Sequence, residues 1–181
     1  MKVLKWIGIV VGGLLLLIVV VGLFLPAEWK VERSIVVNAP PAAIHPYIDD
    51  MAKWKEWSPF DREDPAMTME ISTPSAGVGS WRQWKSEKMG DGRIDVVRSE
   101  PEKGVWMKLT MDGWDSFGID FRYEPAGEGA TKVTWVDAGT AVANPFHRWM
   151  MLGIDSMMGP YFERGLADLT ALAEKSGAVH K

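Results

Sequence analysis

Two charged residues follow apolar strand segments at spacings that place them beside hydrophobic side chains. Asp137 comes two residues after Trp135, and Arg98 comes two residues after Val96. Alternate residues of a strand point to the same face of a sheet. If both faces are concave, both charges are expected at the end of an apolar interior. A charge buried there requires a partner or a polar ligand group.

The same two residues are the groups that an enzyme acting on a hydrophobic substrate would use. Together with Tyr123 or His147, Asp137 and Arg98 could transfer protons in a cyclase, dehydratase or hydrolase. The alternative is that both charges lie at solvated strand ends and do no chemistry. Because strand ends are usually solvated, the second alternative is favoured, and we assign no catalytic residue.

Other chemistries lack support in the sequence. The chain has no cysteine, and its three histidines, His45, His147 and His180, are isolated, so no metal site is predicted. The segment Gly77-Val78-Gly79 is followed by Arg82 where a dinucleotide-binding motif needs glycine, so no cofactor is predicted. The formal net charge of −4 argues against nucleic acid as a partner. Ten tryptophans are unusual for 181 residues, and they either line a pocket or fill the core.

The residues above lie on a predicted series of strands. Gly- and Pro-rich turns separate these segments, and short connections favour antiparallel pairing. Phe117, Ile119, Phe121 and Tyr123 alternate with polar residues, which predicts one apolar and one solvated face. The seven predicted strands span residues 29–38, 67–72, 80–88, 92–99, 104–111, 116–124 and 130–138.

One long helix is predicted to cover the apolar face of this sheet. Apolar residues recur at helical spacing between Asp155 and Lys175, and Gly177 is expected to end the helix. Residues 42–51 are expected to form one or two short helices, interrupted by Pro46. Asn144-Pro145 predicts the N-cap and first turn of a further short helix. The predicted fold class is therefore α+β, with a seven-stranded antiparallel sheet around a long C-terminal helix.

A transmembrane helix is predicted ahead of this domain. The run from Trp6 to Leu25 contains only apolar residues and glycine, and it would span roughly 30 Å, the thickness of a bilayer's hydrocarbon core. The alternative is a cleaved signal peptide. Lys2 and Lys5 favour a cytoplasmic N-terminus in a single-pass protein of the cell membrane. The domain is then expected to be periplasmic or otherwise extracytoplasmic.

The order of these elements resembles the helix-grip fold of the START-like, or SRPBCC, superfamily. Its branch of polyketide cyclase/dehydrase and lipid transport proteins is the most similar. The resemblance covers residues 29–174, and the predicted transmembrane helix is an addition to it, so the chain is divided into an anchor, residues 1–27, and a START-like domain, residues 28–181. The segments that carry it are Val31 to Pro40, Trp54 with Trp57-Ser58-Pro59, Gly77-Val78-Gly79 ahead of Trp84, Thr131 to Trp135, and Met158 to Leu166.

The resemblance implies a hydrophobic cavity between the sheet and the long helix, and hence binding of a lipid or another hydrophobic small molecule. Trp54, Trp57 and Phe60 are expected near its entrance. The enzyme described above remains one alternative, and a protein-interaction module whose cavity is filled by its own tryptophans is another. The expected ligand-binding residues are Trp54, Trp57, Phe60, Met107, Phe117, Ile119, Phe121, Tyr123, Trp135, Asp137, Met158, Phe162 and Leu166.

Overall fold

The computed structural model describes residues 2–141 and 145–179. An apolar N-terminal helix precedes a domain of seven strands, three shorter helices and a long C-terminal helix. The helices are α1 (Lys2–Phe24), α2 (Pro41–Asp49), α3 (Trp54–Trp57), α4 (Pro145–Met151) and α5 (Ile154–Val179). The strands are β1 (Glu28–Val37), β2 (Thr68–Ile71), β3 (Trp81–Lys85), β4 (Gly92–Glu100), β5 (Gly104–Met111), β6 (Phe117–Pro125) and β7 (Thr131–Thr140). Single 3-10 turns span Met51–Lys53 and Phe60–Arg62.

All seven strands form one antiparallel sheet in the order β1-β7-β6-β5-β4-β3-β2. Strands β2 to β7 follow one another in both the sequence and the sheet. Strand β1 pairs with β7, although the two strands are the first and the last in the sequence. This arrangement confirms the predicted α+β helix-grip fold. Each strand lies within two residues of its predicted bounds, except β3, which ends at Lys85 rather than at residue 88.

The sheet has two ends that differ in their distance from α1. At the end that we call proximal, β1 begins directly after α1 and Glu28 pairs with Thr140. At the distal end, Val37 pairs with Thr131. Because β1 has 10 residues, the two ends are separated by about 30 Å along the strand.

Helix α5 covers the inner face of the sheet with one apolar stripe. Phe162, Leu166, Leu169 and Ala173 recur at intervals of three and four residues, and all are buried. Helix α2 adds Ile44 and Ile48 from the side. The core therefore lies between the sheet and these two helices.

Two helix predictions were wrong. Pro46 does not interrupt the first helix, because α2 continues through it, held against the core by its buried residues on either side. Helix α5 does not end at Gly177 but runs to Val179. A Cβ at Gly177 would lie 3.4 Å from the Cβ of Ala39, an ordinary van der Waals contact, so the helix packs against Ala39 as it passes this glycine. Asn144, the predicted N-cap of α4, lies outside the described residues.

Helix α1 is long and apolar enough to cross a bilayer. Its 22 residues from Val3 to Phe24 are almost entirely exposed, unlike the core helix of a globular protein. Length and composition alone are consistent with either a signal sequence or an anchor.

Candidate functional site

The inner face of the sheet is built from rows of side chains that cross the strands. In one row, Val96, Met107, Ile119, Asp137 and Val31 follow one another across β4, β5, β6, β7 and β1. Four of these residues are apolar and buried. Asp137 therefore interrupts an otherwise hydrophobic surface.

Aromatic rings fill the space between this face and α5. Trp135 stacks on Phe162, with ring centroids 4.1 Å apart and an angle of 8° between the planes. Trp57 meets Phe121 and Trp135 edge-on, at 5.8 Å and 5.6 Å. Trp54 packs against Trp57 at 5.1 Å. The tryptophans expected at an entrance, Trp54 and Trp57, are thus part of the packed core.

Asp137 is buried in this interior, and among the described residues one side chain is hydrogen-bonded to it. The indole Nε1 of Trp135 donates to its Oδ1 at 2.9 Å. Burial raises the pKa of Asp137 to about 7, and the bond from Trp135 opposes that shift only partly. Near neutral pH this carboxyl can therefore act as a hydrogen-bond donor as well as an acceptor.

Asp137 lies near the proximal end of the interior. Its partner Val31 is three residues from the start of β1, which corresponds to about 10 Å. The apolar side chains around this end are only partly buried, in contrast to the fully buried rings farther in. They are Trp29, Met111, Phe117, Ile154 and Met158.

A second polar group of residues lies at the distal end. His45 on α2 shares hydrogen bonds with Ser99, Nε2 to Oγ at 3.1 Å, and with Tyr123, Nδ1 to the hydroxyl at 3.4 Å. Its Nε2 also lies 4.0 Å from Oδ2 of Asp49. Burial lowers the pKa of His45 and raises that of Tyr123, so both are neutral near pH 7.

These positions do not form the acid-base site that the sequence left open. Tyr123 pairs with Val133, four residues from Asp137, so the two side chains are separated by about 13 Å along β7. Arg98, which was expected on the same face as Val96, is exposed and pairs with Glu100. The irregularity in β4 between Val96 and Arg98 shifts the register and turns Arg98 outward. His147 on α4 stacks on Trp114 at 4.2 Å.

Arg82 is a buried charge that the sequence reasoning missed. It is 3% exposed, forms an ion pair through Nη2 with Asp61, and lies 5.2 Å from the ring of Trp54. Its Nε and Nη1 have no partner among the described residues, nor do the buried hydroxyls of Ser58 and Ser80. The alternation of β3, which places Arg82 opposite Ile94, was the available signal.

The structure brings the predicted ligand-binding residues together in one interior without a large void. Two depressions among the described residues are lined largely by residues on the outside of the domain. One, of about 500 Å³, is lined by Trp106, Lys108, the start of β6 and the end of β7. The other, of about 300 Å³, is lined mostly by charged residues of α5 and the 3-10 turn at Phe60. No cluster of potential metal ligands occurs among the described residues.

Helices α1 and α4 are joined by hydrogen bonds to backbone carbonyls. Arg148 Nη1 donates to the carbonyls of Leu23 at 2.8 Å and Leu25 at 3.3 Å. Trp149 Nε1 donates to the carbonyl of Ile18 at 3.0 Å. These bonds satisfy carbonyls near the C-terminus of α1 and fix the short helix beside it.

Comparison of sequences gives one match. The family model described as polyketide cyclase / dehydrase and lipid transport matches residues 28–174. Among curated proteins, none matches the chain significantly.

Solved structures share the fold at low sequence identity. A protein of unknown function, SA2116 from Staphylococcus aureus, is 11% identical with a TM-score of 0.62, covering 86% of this chain and 98% of its own. Norcoclaurine synthase from Thalictrum flavum, solved in complex with dopamine and hydroxybenzaldehyde, is 12% identical with a TM-score of 0.57, covering 89% and 92%. Protein CV1439 from Chromobacterium violaceum is 16% identical with a TM-score of 0.57, covering 81% and 98%. At these identities the similarity establishes the fold alone.

Proposed function

We infer that this chain, which belongs to the polyketide cyclase / dehydrase and lipid transport family, is a membrane-anchored domain that binds a hydrophobic small molecule or lipid in its interior. The observation that carries the proposal is the carboxyl of Asp137, buried among apolar side chains with one side-chain partner. Of the thirteen residues predicted from the sequence, the expected contacts are those nearest the proximal end, namely Met107, Phe117, Ile119, Asp137 and Met158.

Stability alone does not favour a carboxyl at this position. A buried acid costs free energy unless its hydrogen-bonding capacity is met, and an apolar side chain of similar volume would fill the same space at lower cost. A hydroxyl, carbonyl or amine of a bound molecule would use the capacity that Trp135 leaves free. Asp137 therefore suits a ligand that is mostly apolar and carries one polar group.

Access to the interior is proposed at the proximal end. The rings of Trp57, Phe121 and Phe162 are fully buried and closely packed in the middle of the core. Phe117 and Met158, in contrast, are only partly buried. Flexible methionine side chains adapt to ligands of different shape. Movement of these partly buried side chains would open a space that reaches Asp137.

We propose that α1 is a retained anchor rather than a cleaved signal peptide. Cleavage would remove the carbonyls that accept hydrogen bonds from Arg148 and Trp149 and would leave α4 without its neighbour. The basic residues Lys2 and Lys5 favour a cytoplasmic N-terminus, with the domain outside the cytoplasm. A ligand would then reach the proximal end directly from the bilayer.

A second candidate is a protein-interaction module whose interior is filled by its own side chains. The stacked rings of Trp135 and Phe162, with Trp57 against them, favour this alternative because they occupy the space that a ligand would need. We propose no enzymatic activity, since Tyr123, Asp137 and Arg98 do not converge.

Mass spectrometry of the full chain tests the proposal. Wild-type protein is released from phosphatidylcholine nanodiscs under native conditions and, separately, under denaturing conditions. The masses recorded for the two samples are compared with those in organic extracts of the protein. We expect a bound mass that disappears on denaturation. Ile119→Phe, which fills the space beside Asp137, should lose that mass, whereas Val97→Phe, the corresponding change at an exposed position, should retain it.

Folding of both variants is checked by their thermal unfolding transitions. If Ile119→Phe fails to fold, Met107→Phe, which changes a flexible unbranched side chain instead of a β-branched one, replaces it at the same row of the sheet. Absence of any bound mass from the wild type would reject ligand binding and favour the interaction module. Equal retention by both variants would reject the proximal interior as the site.

A further inference from the structure

An apolar surface projects from the domain beside α1. It consists of the exposed side chains of Phe146, Trp149, Met150, Leu152 and Met157, on α4 and the start of α5. We define these five residues as the α4 face. Phe146, Leu152 and Met157 are each more than half exposed. A contiguous group of large apolar residues is unusual on a protein surface that is exposed to water.

We propose that the α4 face lies in the interface of the membrane that α1 spans, so that the proximal end of the domain rests on lipid. This inference depends on the proposed anchor and adds the orientation of the domain. The occupant is the bilayer and not a protein partner, because the surface is continuous with a helix that the bilayer would surround.

The hydrogen bond of Trp149 sets the depth of this surface. Ile18, which accepts it, lies six residues before the end of α1 at Phe24, or about 9 Å along the helix axis. A residue bonded there lies at the depth of the last turns of the membrane-spanning helix α1. Amphipathic helices that lie in the interface plane are buried to a similar depth, with tryptophan among their preferred residues.

Gly22 provides the notch in α1 that lets α4 come so close. A Cβ at this position would lie 3.0 Å from both the carbonyl oxygen of Pro145 and Nε1 of Trp149. Gly12 and Gly13 in the same helix have nothing within 4 Å. The single glycine that faces α4 is therefore the one that packing requires, which indicates a specific contact.

Charge supports the same orientation. Arg148 directs its guanidinium to carbonyls at the C-terminus of α1, where a cation also suits the negative end of the helix dipole. The apolar neighbours of Arg148 on α4 remain available to lipid. The helix therefore separates a polar contact with α1 from an apolar surface, as an interfacial helix does.

The absence of cysteine from the chain allows a direct test of depth. Single variants Leu152→Cys, Leu16→Cys and Glu128→Cys are labelled with an environment-sensitive fluorophore, and the full chain is placed in phosphatidylcholine nanodiscs containing nitroxide-labelled phosphatidylcholine. Leu16 reports the span, and Glu128 reports the turn at the distal end. We expect the nitroxide lipid to quench the label at Leu152 nearly as strongly as that at Leu16, and to leave the label at Glu128 bright.

The possible results separate this inference from the proposed anchor. Quenching at Leu16 but not at Leu152 would overturn the orientation while leaving the anchor intact. No quenching at either position, or loss of the first residues by cleavage, would overturn both.

A matched pair of glycine variants tests the contact itself. Gly22→Leu should speed hydrogen exchange of the amides in residues 146–151, whereas Gly13→Leu should leave that exchange unchanged. Equal exchange in the two variants would show that α4 is not held at Gly22, and would remove the basis for its depth.

Discussion

The two ends of the sheet interior treat their buried polar groups differently. At the distal end, His45 shares hydrogen bonds with Ser99 and Tyr123 and lies beside Asp49, whose Oδ1 is buried without a partner among the described residues. At the proximal end, Asp137 has one side-chain partner, Trp135, and apolar neighbours on both adjoining strands. The distal group therefore contains several polar side chains in mutual contact, whereas the proximal carboxyl has a single side-chain donor among the described residues and is otherwise surrounded by apolar side chains.

This difference separates structural polar groups from candidate binding groups. Polar side chains that bond to one another rigidify the fold and leave less hydrogen-bonding capacity for a ligand. An isolated buried carboxyl makes the folded state less stable, and a bound molecule with a polar atom can compensate for that cost. The end with free capacity is also the end next to α1, which is where a ligand from the bilayer would arrive.

Trp135→Ala is expected to have the largest effect on stability, because it removes a stacked ring and the partner of Asp137 together. Truncation of a buried tryptophan costs about 3–5 kcal/mol. Thermal and denaturant unfolding of the full chain in nanodiscs would measure the loss. Trp114→Ala, at a half-exposed ring, is the control and should change stability much less. A similar loss in both variants would contradict the central role of Trp135.

The pH dependence of stability isolates Asp137. Its pKa is about 7 in the folded protein and 3.8 as the reference value, so the folded state keeps a proton that the unfolded state releases between these values. Stability therefore falls as pH rises from 4 to 7, by roughly 4 kcal/mol for this group. Asp137→Asn should be stabilised relative to wild type across that range and should match it near pH 4.

Other carboxyls, such as Asp155 beside Arg33, have lowered pKa values and act in the opposite direction at acidic pH. For this reason the difference between Asp137→Asn and wild type is the quantity to measure. A difference that stays constant from pH 4 to 8 would mean that Asp137 titrates normally and has access to water.

His45 should give a smaller pH effect of opposite sign. Burial lowers its pKa, so below the ordinary value of 6.5 the unfolded state takes up a proton more readily than the folded state. Stability then falls as pH decreases through that range. His45→Gln should remove this component in denaturant unfolding at pH 5 to 7. Should the variant instead fall more steeply with decreasing pH, His45 would be a charged member of the distal group.

Ser99→Ala should have the smallest effect. It removes one hydrogen bond of a half-buried hydroxyl, which is worth about 1 kcal/mol. Because the distal group is not proposed to bind anything, the mass bound to the full chain should remain unchanged. Loss of the bound mass in this variant would place the ligand at the distal end and reverse the comparison.

Periodicity was sufficient to predict most of the fold. Alternation in β6 and the three-and-four spacing in α5 are local signals, and both elements lie where they were expected. The effects of Pro46 and Gly177 were predicted wrongly because both residues lie in helices that continue past them while packed against the rest of the domain. The neighbour of Gly177 is Ala39, far away in the sequence, and no local pattern contains that contact.

The site was harder to predict because burial depends on register. Asp137 and Arg98 follow the same pattern in sequence, yet the shift in β4 turns only Arg98 into solvent. Arg82 was missed because its partner Asp61 lies in a turn between helices and strands. The sequence also predicted Trp54 and Trp57 as residues at an entrance, since aromatic residues of the core and of a pocket look alike in composition.

The most direct test of the central claim is photochemical labelling from the bilayer. The full chain is placed in nanodiscs that contain phosphatidylcholine with a diazirine in its acyl chain, and labelled peptides are mapped by mass spectrometry after irradiation. We predict labels on inner-face residues of the proximal end, including Met107, Ile119 and Met158, in addition to α1. Labels confined to α1 and α4, with none on the inner face of the sheet, would contradict the proposal that the interior receives a hydrophobic molecule from the membrane.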